Sequence, residues 1–311
     1  MVLRHSLRVM SSRFSLVYKV LLYIFVVLLL FSAITYAAVL PVIKPILAGI
    51  ENMDFISHIL DAFKSIFSFN SNIQADAFEQ ISLDLTAISE VFATNQNNVI
   101  VGAILFAIFI FLCKFFVSFS KLPACDVLNN FMNSNSKFGF TSNMIANAKK
   151  AAAFSLIDTL ITIPYYLIVS VILYYVGYAC SFVMIWLSIA SVLSLLIIFI
   201  SLKSAVFNLW LPCYINEDKG VFKSLSHSIL MNKKQILNNF GLYVITYLIL
   251  YFVTVGFSLL TFGLGFIFAV SMNQMLLLAI QLVLYYRINE KKYYIDPETV
   301  VNSKTVVKSV Y

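Results

Sequence analysis

The sequence predicts an all-α membrane protein built as a bundle of six transmembrane helices, and two observations carry that prediction. Of 311 residues 61% are apolar and only 11% are charged, where an ordinary soluble domain carries about a quarter charged residues. Uncharged apolar runs also recur at the length, about 20 residues, that crosses ~30 Å of hydrocarbon at ~1.5 Å per residue. A soluble globular enzyme is excluded by this composition. Each run must be helical, because a backbone facing lipid has to satisfy its own hydrogen bonds.

The spans follow in order as 20–40, 99–119, 151–176, 181–202, 240–260 and 265–286, within a single integral membrane domain covering 1–311. The first is preceded by Arg4, Arg8, Arg13 and Lys19 and is longer than the 7–15 residue core usual in a signal peptide, so a retained anchor is expected. The charge-free stretches Gly177 to Cys180 and Thr261 to Leu264 read as tight turns between neighbouring helices. Gly263 and Gly265 are turn residues there, since the surrounding Thr261-Phe262-Gly263-Leu264-Gly265 has neither the lysine nor the strand of a phosphate loop.

Lysine and arginine asymmetry sets the expected orientation. The segment 43–98 holds Lys44 and Lys64 against Glu51, Asp54, Asp61, Asp76, Glu79, Asp84 and Glu90, and should lie outside. The other long connections hold Lys121, Lys137, Lys149 and Lys150, then Lys203, Lys219, Lys223, Lys233 and Lys234, and finally Arg287, Lys291, Lys292, Lys304 and Lys308. These should be cytoplasmic, together with both termini and the tail 287–311. A preference for Lys over Arg, with abundant Ile, Asn, Phe and Tyr, reads as an AT-rich bacterial genome, which places the protein in a bacterial plasma membrane.

In the outer segment Ile56, Ile59, Leu60, Phe63 and Ile66/Phe67 recur at helical spacing, as do Phe78, Ile81, Leu85, Ile88 and Phe92. Two amphipathic helices are expected, separated at Asn70-Ser71-Asn72 and closed by Asn95-Gln96-Asn97-Asn98. They either lie on the outer leaflet or cap the bundle, or they form a lid or a partner-docking surface.

An internal repeat is also legible. Leu122-Pro123 and Leu211-Pro212 stand 89 residues apart, and Lys149-Lys150 and Lys233-Lys234 stand 84 apart. Each unit reads as helix, Leu-Pro break, cytoplasmic interfacial helix, basic pair and helix, with the interfacial helices at Asn143 to Ala148 and Lys223 to Leu230. A true duplication would make them parallel repeats, as in transporters with halves related about the membrane normal; coincidence of two common dipeptides is the other reading.

Leu211-Pro212-Cys213, the following Lys219-Gly220-Val221-Phe222-Lys223-Ser224 and His227-Ser228, and the exit Tyr285-Tyr286-Arg287 resemble a group of bacterial six-span proteins. These are the YciC-like proteins and the membrane domain that accompanies some glycerophosphodiester phosphodiesterases. The resemblance covers roughly residues 99 to 296 and implies a six-helix membrane domain with no agreed catalytic residues to carry over. Only 25 residues follow Tyr286, too few for a phosphodiesterase domain, so that activity is not implied. The acidic outer segment has no counterpart in the resemblance.

Asp158 is the one acid inside a predicted span, and leaving it charged costs roughly 3 kcal/mol on insertion scales. Lys114 lies at a similar depth, so a Lys114–Asp158 ion pair that fixes helix packing is expected; a proton or cation site at Asp158 beside a kink at Pro164 is the alternative. Phe222, Leu225, Ile229 and Ile236 form one side of a basic amphipathic stretch, with Lys219, Lys223, Lys233 and Lys234 available to anionic headgroups, or to a docking partner. His227 is expected to be solvated and His5 and His58 isolated. Cys113, Cys125, Cys180 and Cys213 show no metal or disulfide spacing, so no metal site, disulfide framework or cofactor is expected.

The function these features favour is transport, a permease-like role for a small solute, ion or lipid, without enzymatic activity. A non-catalytic membrane scaffold or envelope-homeostasis protein acting through partners is the other class. The expected partners are the bilayer with its anionic cytoplasmic headgroups, and a protein partner or a second copy of the chain; nucleic acid is not among them.

Overall fold

Apolar runs without flanking strand chemistry fold as helices throughout the computed structural model, which describes residues 2–50, 57–58, 60, 71–134, 139–181, 184–217, 219–263 and 265–293. In chain order the helices are α1 (Val2–Ser12), α2 (Phe14–Ile50), α3 (Ser71–Thr94), α4 (Gln96–Phe119), α5 (Lys121–Ser134), α6 (Phe140–Ala146), α7 (Ala148–Ser181), α8 (Ile185–Val206), α9 (Trp210–Asn216), α10 (Val221–Asn232), α11 (Ile236–Leu260) and α12 (Gly265–Ile288). No strand occurs among the described residues. Six helices, α2, α4, α7, α8, α11 and α12, are long and apolar enough to cross a membrane, so the protein is an all-α polytopic helix bundle.

The chain divides into two compact units, residues 1–27 with 114–311, and residues 28–113. In the larger unit α12 is the central helix. Its Met275, Leu276, Ala279, Ile280, Leu282 and Tyr286 are buried, and it packs against α1, α5, α9 and α11, while α8 packs against α7 and α11. Inside a bilayer apolar burial gives helices little reason to associate, so polar contacts and close packing must hold them. Asn129 of α5 and Asn216 of α9 bond reciprocally, with Asn129 Nδ2 donating at 3.0 Å. Tyr286 Oη donates to Asn129 Oδ1 at 2.9 Å and also bonds Asn133. Asn232 Nδ2 donates to the Ala205 carbonyl at 2.6 Å and Asn232 Oδ1 accepts from Asn239 Nδ2 at 2.7 Å, joining α8, α10 and α11. The first helix is anchored by His5 Nδ1, 2.8 Å from Tyr293 Oη, and Arg13 stacks its guanidinium 4.3 Å above the Phe131 ring.

In the smaller unit α3 runs almost directly into α4. Asn95 N–H bonds the Val91 carbonyl at 3.1 Å and Val99 N–H bonds that of Asn95 at 3.0 Å, so Asn95 to Asn98 do not end the helix as expected but carry it on through a single turn residue. Ile81, Ile88 and Val91 are half-buried, while Leu85 and Phe92 are exposed. Most of the earlier amphipathic stretch, Ile56 to Phe67, lies outside the described residues, as does the tail beyond Tyr293. His58 is not isolated, because its Nδ1 lies 2.7 Å from Asp84 Oδ2.

Several expected boundaries move for local reasons. Leu122-Pro123 and Leu211-Pro212 do not break helices but begin them. Proline fits a first turn, where its missing N–H has no intrahelical partner to lose. The breaks fall just before, at Ser120 and at 207–209. The first interfacial helix starts earlier than expected, at Phe140, and ends at Ala146; Asp126 of α5 secures it by accepting from Asn143 Nδ2 at 2.7 Å and Asn147 Nδ2 at 3.2 Å.

Gly177 is not a turn residue, since α7 continues to Ser181. A Cβ there would stand 3.0 Å from Val192 Cγ2, and Ser188 Oγ donates to the Gly177 carbonyl at 2.8 Å; the absent side chain is what lets α7 and α8 approach. The second tight turn is as expected: Gly263 has φ 90°, a left-handed conformation that favours glycine, and its N–H closes the helix on the Ser258 carbonyl at 2.8 Å.

Gly177→Leu should therefore lower the stability of detergent-solubilised protein by about 1–3 kcal/mol through overpacking. Gly256→Ala, at a helical position where a Cβ meets nothing within 4 Å, should leave it unchanged or raise it. Thermal unfolding followed by size-exclusion chromatography distinguishes the two.

Candidate functional site

Asp158 lies in the larger unit, nearly three turns into α7, and its side chain is only 11% exposed. A carboxylate in such surroundings needs compensation from fixed donors and charges. Lys121 Nζ stands 2.7 Å from Oδ2 and Ser118 Oγ donates to the same oxygen at 2.5 Å. Thr162, one turn along α7, donates to Oδ1 at 3.3 Å and accepts from Lys203 Nζ of α8 at 2.7 Å. The carboxylate thus ties the end of α4, the start of α5, α7 and α8 into one network.

The expected partner was Lys114, and the structure replaces it with Lys121. Lys121, the first residue of α5, stands three positions after Ser118 and reaches the same Asp158 oxygen that Ser118 bonds. Lys114 lies one helical turn before Ser118 on the same face, and lines the same cavity without joining an ion pair among those of the described residues. Pro164 is accommodated inside an unbroken α7, where the Leu160 carbonyl lacks the N–H it would otherwise receive.

Around this network opens a cavity of roughly 350 Å³. Lys114, Lys121 and Lys203 line it together with Asp158, so three lysine amino groups face one carboxylate. Neutral polar groups come from the remaining helices: Gln274 of α12 donates to Ser120 Oγ at 2.9 Å, and Tyr247 of α11 shares a hydrogen bond of 2.7 Å with Ser204. Lys203 Nζ also sits 4.8 Å above the Tyr166 ring. Phe154, Trp210 and Leu211 supply the apolar wall. The arrangement offers cationic donors to something that enters; its single carboxylate is already saturated, which leaves little for an incoming cation.

Among the basic residues expected at the headgroups, Lys223, Lys233 and Lys234 are exposed. Lys219 is turned to Glu217, 2.8 Å away. The buried face of α10 is Val221, Ser224, Ser228 and Asn232 rather than the one through Phe222 and Ile229. Phe222 and Leu230 are each 68% exposed beside the lysines, because the helix packs its small side chains inward and leaves the large ones out.

Lys114 and Asp158 were legible as intramembrane polar residues, whereas Lys121 and Lys203 stood at the predicted ends of spans and were read only as orientation charges. Comparison with protein-family models, with curated proteins and with solved structures returned no match.

The pairing is testable by a double-mutant cycle. Asp158→Asn should cost on the order of 3 kcal/mol by leaving a half-buried ammonium uncompensated. Lys121→Gln in the same chain should recover most of that, and Lys114→Gln should not. Folded yield and thermal midpoint in detergent report the result.

Proposed function

We propose that this multi-pass membrane protein is a permease-like component that binds an anion in the cavity around Asp158. The observation that supports the reading is the excess of lysine amino groups, Lys114, Lys121 and Lys203 against Asp158 alone. An amine removed from water stays charged only at a cost unless it is paired, and Asp158 pairs directly with Lys121. An oxyanion entering the cavity would supply the missing negative charge and accept hydrogen bonds from lysine, Gln274 and Gln281 together. Both a small free oxyanion and the anionic head group of a lipid present this chemistry, and the volume of roughly 350 Å³ is in the range of small-ligand pockets.

The charge partition along the sequence supports an orientation with both termini in the cytoplasm and 43–98 outside, in a bacterial plasma membrane. The exposed Phe222 and Leu230 among Lys223, Lys233 and Lys234 suit α10 to an anionic headgroup layer. In a chain freed of its native cysteines, Asp76→Cys should label from outside intact cells, and Lys223→Cys only after permeabilisation. Labelling of both in intact cells rejects the orientation.

Binding is tested on purified protein by thermal unfolding with inorganic phosphate, sulfate or micellar phosphatidic acid. A ligand at a hundred times its Kd stabilises by about 2.7 kcal/mol, and the shift should vanish in Lys114→Gln/Lys203→Gln. A shift equal in that variant, or none with any of the three, rejects the anion site. Anion uptake into reconstituted vesicles should accompany binding; binding without uptake rejects the permease reading.

A further inference from the structure

Outside the cavity, α9 and α10 bring together a second group of side chains whose chemistry is different. Cys213 Sγ, a carboxylate oxygen of Glu217 and a ring nitrogen of His227 lie within 4.8 Å of one another. Met231 adds a thioether, its Sδ 3.9 Å from Cys213 Sγ. The spacing explains how they meet. Cys213 and Glu217 are four residues apart across the end of α9, where Glu217 N–H bonds the Cys213 carbonyl at 3.0 Å; His227 and Met231 are four apart on α10. Residues at that separation share a helix face, and α9 and α10 pack against each other, so two paired donors from each helix converge.

We propose that Cys213, Glu217 and His227 form a binding site for a thiophilic transition-metal ion of the zinc class, with the Met231 sulfur beside it. Thiolate, imidazole and carboxylate are the donors zinc takes, at about 2.0–2.3 Å and with tetrahedral geometry. Three protein ligands leave one position for water or for the thioether, a softer donor. Cys213 is fully buried, and His227 and Glu217 are partly buried.

A second observation points the same way. His227 Nδ1 is a buried nitrogen with no hydrogen-bond partner; it lies 2.9 Å from Glu217 Oε2, but outside the geometry of a hydrogen bond. A ring nitrogen that stands within 4.8 Å of the other ligand atoms and takes no hydrogen bond is available to a metal ion.

Binding moves two groups. The Cys213 thiol loses its proton to solvent as the S–metal bond forms, and Lys219, 2.8 Å from Glu217 Oε2, gives up that oxygen to the ion. Lys219 is therefore a competitor of the metal, and this separates a metal site from a mere salt-bridge cluster.

The experiment titrates the untagged full-length chain in detergent with Co²⁺, a spectroscopic stand-in for Zn²⁺. One Co²⁺ per chain should give tetrahedral visible bands and a thiolate-to-cobalt charge-transfer band, both bleached by Zn²⁺. Cys213→Ser should abolish the charge-transfer band, and Cys125→Ser should leave it. His227→Ala and Glu217→Gln should each weaken binding at least about tenfold, the scale on which even outer-shell partners act. Lys219→Gln should tighten it. The proposal is overturned if the charge-transfer band survives Cys213→Ser, or if His227→Ala leaves affinity unchanged, or if Lys219→Gln weakens binding as Glu217→Gln does. Should Cys213→Ser fail to fold, the variants at His227 and Lys219 decide alone.

Discussion

A carboxylate enclosed by helices has to be compensated where it stands, and the way Asp158 is compensated organises the larger unit. Lys121 and Ser118 reach one oxygen and Thr162 the other, with Lys203 behind Thr162. Those residues come from four helices, so the positions of α4, α5, α7 and α8 are not independent. A continuous apolar interface would tolerate sliding, whereas donors and acceptors matched at 2.5–2.7 Å set one register.

The remaining polar links extend that register. Asn129 joins Asn216 and Tyr286, and Asn232 joins Ala205 and Asn239; both sets lie near the short helices between spans. Where α7 and α8 meet along their length, the contact depends on shape instead: Gly177 leaves room for Val192. Polar networks at the helix ends and small residues within the spans are complementary solutions to the lack of a hydrophobic driving force in lipid. Their separation also leaves room for the cavity, whose wall combines Phe154, Trp210 and Leu211 with the lysines.

The six long helices were legible because hydropathy over about 20 residues is a property of the sequence alone. Asp158 was legible for the same reason, as a charge in a place where charges are rare. Its partner was not. Lys114 was chosen for depth along the chain, and it does stand on the face that carries Ser118; Leu122-Pro123 marked the break, but it reads equally well as the end of one helix or the start of the next, so the place of Lys121 beside Asp158 was not legible. The same ambiguity hid Gly177, which in a charge-free stretch looks like a turn and is a packing residue. Cys213, Glu217 and His227 were hidden for a tertiary reason. Each pair, Cys213 with Glu217 and His227 with Met231, has helical spacing, but their convergence depends on how α9 folds against α10, and Lys219 was counted with the surface lysines although it bonds Glu217.

One short helix connects these features. At its beginning α9 places Trp210 and Leu211 on the wall of the cavity, and Trp210 Nε1 donates to the Val221 carbonyl at the start of α10, 3.1 Å away. At its end Glu217 meets Lys219 and His227. Seven residues are too few to be helical on their own, so the position of α9 is set by these contacts and by the Asn129–Asn216 link to α5, the helix that begins at Lys121. A change in the charge or ligation of Glu217 would alter the contacts at one end of a two-turn element whose other end borders the cavity around Asp158. Coupling of that kind has a contiguous path through side chains in contact, and it is local: from Glu217 through α9 to Trp210, and from Asn216 through α5 to Lys121 and Asp158.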